Sequence, residues 1–270
     1  MVSNEITDCH LMVMPVFVCL YPCAPYNPNI HVPQNRHMSI SVSPIGHIQT
    51  PYKEKFAIPR QPGLVKSALG IIQFNAEFND PNYLRGIEQF SHLWLLFHFH
   101  QTAEQGFGPL VRPPRLGGNK KQGVFATRST FRPNGIGMSV VEFVSVEQQQ
   151  SQLSLTVRGV DLLDDTPILD IKPYVPYADN VTNVAGGIAQ KSPELMPVEL
   201  SSQALNQLAL HKNTYPNLAA LIQEVLSQDP RPAYHKNTEP TKTYGMNLYD
   251  LNIQWQVTNQ QNLVLSIEKT

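Results

Sequence analysis

The chain has 270 residues, 41% of them hydrophobic, with 20 basic against 21 acidic residues, a formal charge of −1 and a mean hydropathy of −0.23. That is enough apolar material for one large or two modest domains, while no apolar run approaches the ~18–20 residues of a membrane helix. A pI near 6.7 argues against a protein that coats nucleic acid non-specifically, but not against a specific nucleic-acid enzyme with one basic face.

All three cysteines, Cys9, Cys19 and Cys23, fall near the start, in a C-x9-C-x3-C spacing that matches no zinc pattern. With none afterwards, no disulfide framework holds the fold, which fits a reducing cytoplasm. LMVMPVFVCL (11–20) has the length of a signal-peptide core. However, Glu5 and Asp8 precede it and the first basic residue is Arg36, so a secretory reading is weak. Prolines 15, 22, 25, 28 and 33 break any helix or central strand, and residues 1–37 read as a poorly ordered extension.

From Met38 the pattern turns β-like. SISVSPIGHIQTPY opens with alternation, and GIIQFNAEF (70–78) is a second candidate strand. DPNYLRGIEQF (80–90) predicts a short helix with Asp80 as N-cap, Pro81 in the first position and Leu84, Ile87 and Phe90 along one face. SHLWLLFHFHQT (91–102) is apolar on both faces until His98 and His100, as for a strand buried on both sides whose end reaches a polar cavity. GVFATRST and GMSVVEFVSVE predict further strands around an FRPNG turn, and LSLTVRGVDLLDDTPILDIKPYV (153–175) two more around an acidic turn. Residues 38–190 are therefore expected to form a mainly β domain, a small barrel or highly curved sheet. SSQALNQLALHK (201–212) and NLAALIQEVLSQ (217–228) have helical periodicity before strands return, so 191–270 is expected to be a smaller α+β domain.

One window concentrates charge. From Gln105 to Val141 there is no Asp or Glu, and six basic residues stand there: Arg112, Arg115, Lys120, Lys121, Arg128 and Arg132. The rest of the chain then sums to −7, from 14 basic and 21 acidic residues. Six unopposed cations fit an RNA backbone, although a solvated loop balanced by acids elsewhere in space explains them as well. In PRQPG (59–63) two prolines stiffen a loop that presents Arg60 and Gln61. His98 and His100, at i and i+2, are expected on one strand face. That spacing permits a metal-dependent hydrolase using the aspartates of RGVDLLDDTPILD, but polar pocket lining fits better than zinc. DPRPAY (229–234) presents Arg231 and Tyr234 on a rigid segment after the second helix. No phosphate-loop, G-x-G-x-x-G, G-x-S-x-G or H-E-x-x-H motif occurs.

IGHIQTPYKEKFAIPRQPGLVKSA, RGIEQFSHLWLLFHFHQT, VRPPRLGGNKKQGVFATRSTFRPNGIGMS, DLLDDTPILDIKPYVPYA and DPRPAY together resemble the bacterial TrmO (TsaA-like) proteins, in the right order from about residue 40 to the end. The resemblance implies a single-sheet β-barrel followed by a C-terminal domain, a homodimer, and S-adenosyl-L-methionine as cofactor. It also implies methylation of N6 of threonylcarbamoyladenosine at position 37, in the anticodon loop of threonine tRNA. By the same resemblance the cofactor is expected to meet Pro59, Arg60, Gln61, His100, Gln101, Arg128, Met138 and the segment Arg158, Gly159, Val160 and Asp161. DPRPAY is expected to face the RNA. Gly135 departs from the family pattern, where relatives have Pro in RPNPIG. The chemistry needs an acceptor for one proton, for which Asp229 and Tyr234 are the first candidates and His100 the third. It also needs an arginine for the threonyl carboxylate, Arg231 or Arg132. Arg112, Arg115, Lys120 and Lys121, with Arg132, are the expected tRNA contacts. A non-catalytic RNA-binding module stands as the alternative.

Overall fold

The computed structural model describes residues 40–113, 120–231 and 242–270; the expected extension at 1–37 with its cysteines, and the candidates Arg115 and Tyr234, lie outside these residues. In chain order the strands of the first part are β1 (Gly46–Gln49), β2 (Leu69–Phe74), β3 (His92–His98), β4 (Leu110–Val111), β5 (Gln122–Gly123), β6 (Ile136–Gln149), β7 (Gln152–Arg158) and β8 (Thr166–Pro173). Six of them close a barrel in the order β1-β2-β7-β6-β3-β8, every neighbour antiparallel, so none of the six is left with a free edge. Alternation puts Ile72, Leu93, Leu95, Val141, Leu155, Val157 and Ile168 into its core. The β6–β7 hairpin turns at Gln150 and Ser151, both with positive φ (47° and 72°), in the polar QQQSQ stretch.

Several expectations are corrected. The helix predicted at 80–90 is two 3-10 turns, Pro81–Leu84 and Ile87–Gln89. The side chain of Asp80 does cap, accepting from the Asn82 N–H, but Gly86 at φ 87° interrupts propagation. GVFATRST forms a strand only at its first residue, within β5, and then a 3-10 turn at Val124–Ala126. Thr127 and Ser129 hydroxyls bond local backbone groups instead of leaving a ladder free to form. The strand β3 stops at His98, and the His100 N–H turns back to the His98 carbonyl at 2.8 Å, so the two histidines do not share a strand face. Trp94 and Leu96 on the outer side of β3 are half-buried, so that strand is not sealed on both faces.

The second part begins after a four-residue helix α1 (Pro176–Asp179). It contains β9 (Val198–Leu200), α2 (Ser202–His211), α3 (Leu218–Ser227), β10 (Thr243–Leu248), β11 (Leu251–Thr258) and β12 (Gln261–Lys269), the strands forming one sheet in the order β10-β11-β12-β9. Ser201 caps α2 by accepting from the Ala204 N–H at 3.1 Å. In α3 the buried residues Leu218, Leu221, Ile222, Val225 and Leu226 fall at i, i+3, i+4, i+7 and i+8, the stripe that a helix lying on a core requires.

Barrel and C-terminal part share one compact unit, Val42–Thr270. The segment between β1 and β2 lies at the junction. Tyr52 bridges to Leu248, the Tyr249 N–H donates to the Pro51 carbonyl at 2.8 Å, and the Asn247 N–H donates to Glu54 Oε1 at 2.7 Å. Farther along, Glu224 of α3 accepts from both the backbone N–H and the hydroxyl of Ser67, each at 2.8 Å. The PRQPG loop is thus clamped on both sides by the C-terminal part.

Candidate active site

A cavity of about 2360 Å³ opens beside the barrel, between the β1–β2 segment, the turn after β3, residues 105–113 and 121–132, and the end of α3. It exceeds the ~300–1,000 Å³ typical of a small-ligand pocket, so a cofactor and part of a larger substrate fit together. Of the expected cofactor residues, Pro59, Arg60, Gln61, His100, Gln101, Arg128, Met138 and Asp161 all lie on its wall. Residues from four separate stretches of sequence are therefore brought to one place.

Each is held by identifiable forces. The Gly63 N–H donates to the Gly159 carbonyl at 2.8 Å, and the Gly159 N–H donates to the Ala68 carbonyl at 2.9 Å, which ties the PRQPG loop to the end of β7. Gly159 sits at φ 78°, and a Cβ on it would come within 3.3 Å of Gly63 Cα, so this close backbone approach needs glycine. Arg128 donates to Gln61 Oε1 at 2.7 Å, joining the two stretches on the wall itself. Arg132, also on the wall, donates to the Thr127 carbonyl at 3.2 Å, which fixes the guanidinium with one of its five N–H donors.

Within the Arg158–Asp161 segment only Asp161 lines the cavity. Arg158 is an exposed strand residue 3.9 Å from Glu142, and Val160 is fully buried core. The carboxyl of Asp161 accepts from the Ser139 hydroxyl at 2.6 Å. Burial pushes its pKa up to about 6, against the lowering pull of the Ser139 hydrogen bond and the Arg128 charge. Ser139, on β6, was missed by the sequence reading; its only signal there is a polar residue at an inward position of an otherwise apolar strand.

His100 is half-buried on the wall, and burial lowers its pKa, with the Asp165 charge opposing, so the imidazole is neutral and able to accept a proton at neutral pH. Asp229 is placed differently. Arg231 grips both its oxygens, Nε to Oδ1 at 2.7 Å and a terminal nitrogen to Oδ2 at 3.2 Å, and both side chains are about nine-tenths buried. Arg231 reaches the wall but Asp229 does not. Arg112 and Lys121 line the mouth, while Lys120 is exposed beside them. Among the described residues no group of three His, Cys, Asp or Glu side chains is placed to hold a metal ion.

The donor set fits S-adenosylmethionine on the chemistry visible here. An anionic oxygen pair in a desolvated wall suits its cationic centres, a fixed guanidinium suits its carboxylate, and Pro59, Phe97 and Ile136 supply apolar wall for an adenine ring.

Comparison with known proteins gives a consistent picture. Residues 47–180 match the tRNA-methyltransferase O N-terminal domain, and residues 193–270 match the TrmO C-terminal domain. The tRNA (adenine(37)-N6)-methyltransferase of Escherichia coli K12 is 50% identical over 231 residues, 85% of this chain and 98% of the relative. A Pseudomonas aeruginosa protein whose description carries the words S-adenosylmethionine-dependent methyltransferase RcsF is 52% identical over 219 residues, 81% of this chain and 93% of the relative. A crystal structure of TrmO from Pseudomonas aeruginosa matches with a TM-score of 0.72 at 43% identity, covering 86% of this chain and 99% of that one.

Proposed function

The chain belongs to the tRNA-methyltransferase O family, and from that premise we propose that it is an S-adenosylmethionine-dependent tRNA methyltransferase. Its substrate on this reading is the threonylcarbamoylated adenosine at position 37 of threonine tRNA, methylated on N6. The observation that carries the proposal is the single cavity in which PRQPG, His100, Arg128 and Asp161 meet beneath the acid-free basic window.

S-adenosylmethionine, when bound, supplies a methyl group already activated on a sulfonium sulfur. The chain has to hold the partners in line, exclude water and remove one proton from the ureido nitrogen. Asp161, with Ser139, would hold the cationic part of the cofactor, and Arg128, braced by Gln61, would hold its carboxylate. Arg132, fixed on Thr127, is the arginine for the threonyl carboxylate, since the charge of Arg231 is already paired with the Asp229 carboxylate. The same pairing occupies both oxygens of Asp229, and Tyr234 lies outside the described residues. His100 is left as the acceptor, neutral at working pH and on the wall. Arg112, Lys120 and Lys121 meet the tRNA backbone. We further propose a cytoplasmic homodimer. Support for the compartment comes from the absence of cysteine after residue 23 and from the nature of the substrate. Among the described residues no helix is long and apolar enough to cross a membrane.

The test is incubation with methyl-labelled S-adenosylmethionine and threonine tRNA carrying or lacking the threonylcarbamoyl group. Label is expected only in the modified tRNA, and its absence there overturns the proposal. In the same assay His100→Gln is expected to lower the single-turnover rate by about 10²-fold or more while leaving tRNA affinity unchanged.

A further inference from the structure

Three phenylalanines in the basic window have no structural reason to be where they are. Phe125 is 79% exposed, Phe107 66% and Phe131 41%, yet all three line the same cavity as Arg112, Lys121, Arg128 and Arg132. An isolated exposed apolar residue needs no explanation, but three aromatic rings around one cavity form a patch.

The backbone beneath Phe125 and Phe131 is pinned. Val124 is buried, its N–H donates to the Pro109 carbonyl at 3.0 Å, and the Thr127 N–H closes the 3-10 turn on the Val124 carbonyl at 3.1 Å. Phe125, next to that anchor, is thereby turned outward. The Phe131 N–H donates to the Ser129 hydroxyl at 3.2 Å, and the Thr102 hydroxyl holds the Thr130 carbonyl at 3.3 Å. A backbone fixed in advance leaves less freedom to lose when something packs on the rings.

We propose that Phe107, Phe125 and Phe131 are a stacking platform for the unpaired bases that flank the target nucleotide in the tRNA anticodon loop. This rests on the tRNA methyltransferase reading and specifies how that site grips its RNA. Charge selects the occupant. The patch lies in a stretch of 37 residues, 105–141, with six cations and no acid. A second copy of the chain docking here about a two-fold axis would bring two such surfaces face to face, which like-charge repulsion opposes. An RNA loop brings phosphates to the cations and π-faces to the rings at once, and duplex RNA offers only the phosphates. Stacking tolerates any base, so the platform grips the loop while the cavity discriminates the modified nucleotide.

The experiment compares wild type with Phe125→Ala, Phe125→Ala/Phe131→Ala, Phe107→Ala and Phe125→Trp. Binding is measured to an anticodon stem–loop RNA and to a duplex RNA of equal length, over about 50–200 mM salt. Alongside go cofactor affinity, thermal melts and sedimentation. Each alanine is expected to weaken stem–loop binding by about tenfold, within the range of one lost base–aromatic stack. Duplex binding, cofactor affinity, melting temperature and the salt slope are expected to stay as in wild type, and Phe125→Trp is expected to retain stem–loop affinity. Lys120→Ala/Lys121→Ala, by contrast, is expected to weaken both RNAs and flatten the salt slope. Wild-type stem–loop affinity in the double alanine variant overturns the platform, and so does a loss of affinity that tracks dissociation of an oligomer. If the wild type methylates no tRNA but the alanine variants still lose stem–loop binding, the methyltransferase reading falls and the platform stands.

Discussion

Asp161 shows what one half-buried carboxyl imposes on the protein. Its pKa is raised from 3.8 to about 6 by desolvation, so between these values the folded state holds a proton that the unfolded chain has released. Stability is therefore lost as pH rises from about 4 to about 6, by up to about 3 kcal/mol, and the cost persists above pH 6. Asp161→Asn keeps a partner for Ser139 without the half-buried charge, and its melting temperature at pH 8 is expected to exceed that of wild type. Its cofactor affinity, however, should be weaker and independent of pH, whereas that of wild type should fall as pH drops below about 6; titration calorimetry at several pH values reads both. Asp229 is held differently, gripped by Arg231 at 2.7 and 3.2 Å. Asp229→Asn leaves a buried guanidinium unpaired and is expected to destabilise by about 3 kcal/mol or more in denaturant melts. A catalytic base would instead lose rate at unchanged stability.

At the scale of the element, the FRPNG turn decides where the wall arginines sit. Asn134 and Gly135 are both left-handed, at φ 65° and 59°. The Gly135 carbonyl accepts from the Phe99 N–H at 2.7 Å, locking the turn onto the chain just before His100. A Cβ on Gly135 would stand 3.1 Å from His98 Nε2, so the glycine and the histidine are matched. Proline cannot adopt this φ, and Gly135→Pro, although it restores the residue expected of relatives, should cost about 2 kcal/mol or more and displace Arg132. For Gly135→Ala a double-mutant cycle with His98→Ala should recover the steric share of the loss and leave the φ share, about 1 kcal/mol. The turn was legible in Pro-Asn-Gly, but its partner was not, because His98 is 37 residues away in sequence and meets it only through the β3–β6 pairing of His98 with Ile136.

Over the whole molecule, the C-terminal part both lines the cavity and holds the segment that follows PRQPG. Glu224 holds Ser67 by two charge-assisted hydrogen bonds, and the Gln228 side chain reaches the Leu64 carbonyl at 3.4 Å, both just past PRQPG. Glu224→Ala is expected to cost about 2–3 kcal/mol, lowering the melting temperature by roughly 5–10 °C. It should also weaken S-adenosylmethionine binding through the freed loop, with the salt slope of tRNA binding unchanged. Simple removal of a surface charge would produce neither effect.

The sequence alone determined the broad architecture and the family. Alternation, the α3 stripe, the turn chemistry and five long motifs each depend on residues close together in the chain, where local periodicity and local hydrogen bonding act. It also placed the basic window and the stiff PRQPG loop. Only the tertiary structure decided which of the candidate residues share a wall. Arg158 and Val160 are neighbours of Asp161 in sequence, yet strand geometry sends one to solvent and the other to the core. His98 and His100 part company because the chain turns between them. Asp229 is paired with an arginine two residues on, a pairing that a left-handed backbone at φ 50° allows and composition cannot reveal. Burial sets these outcomes, and burial is a property of the closed barrel and its clamp rather than of any short stretch.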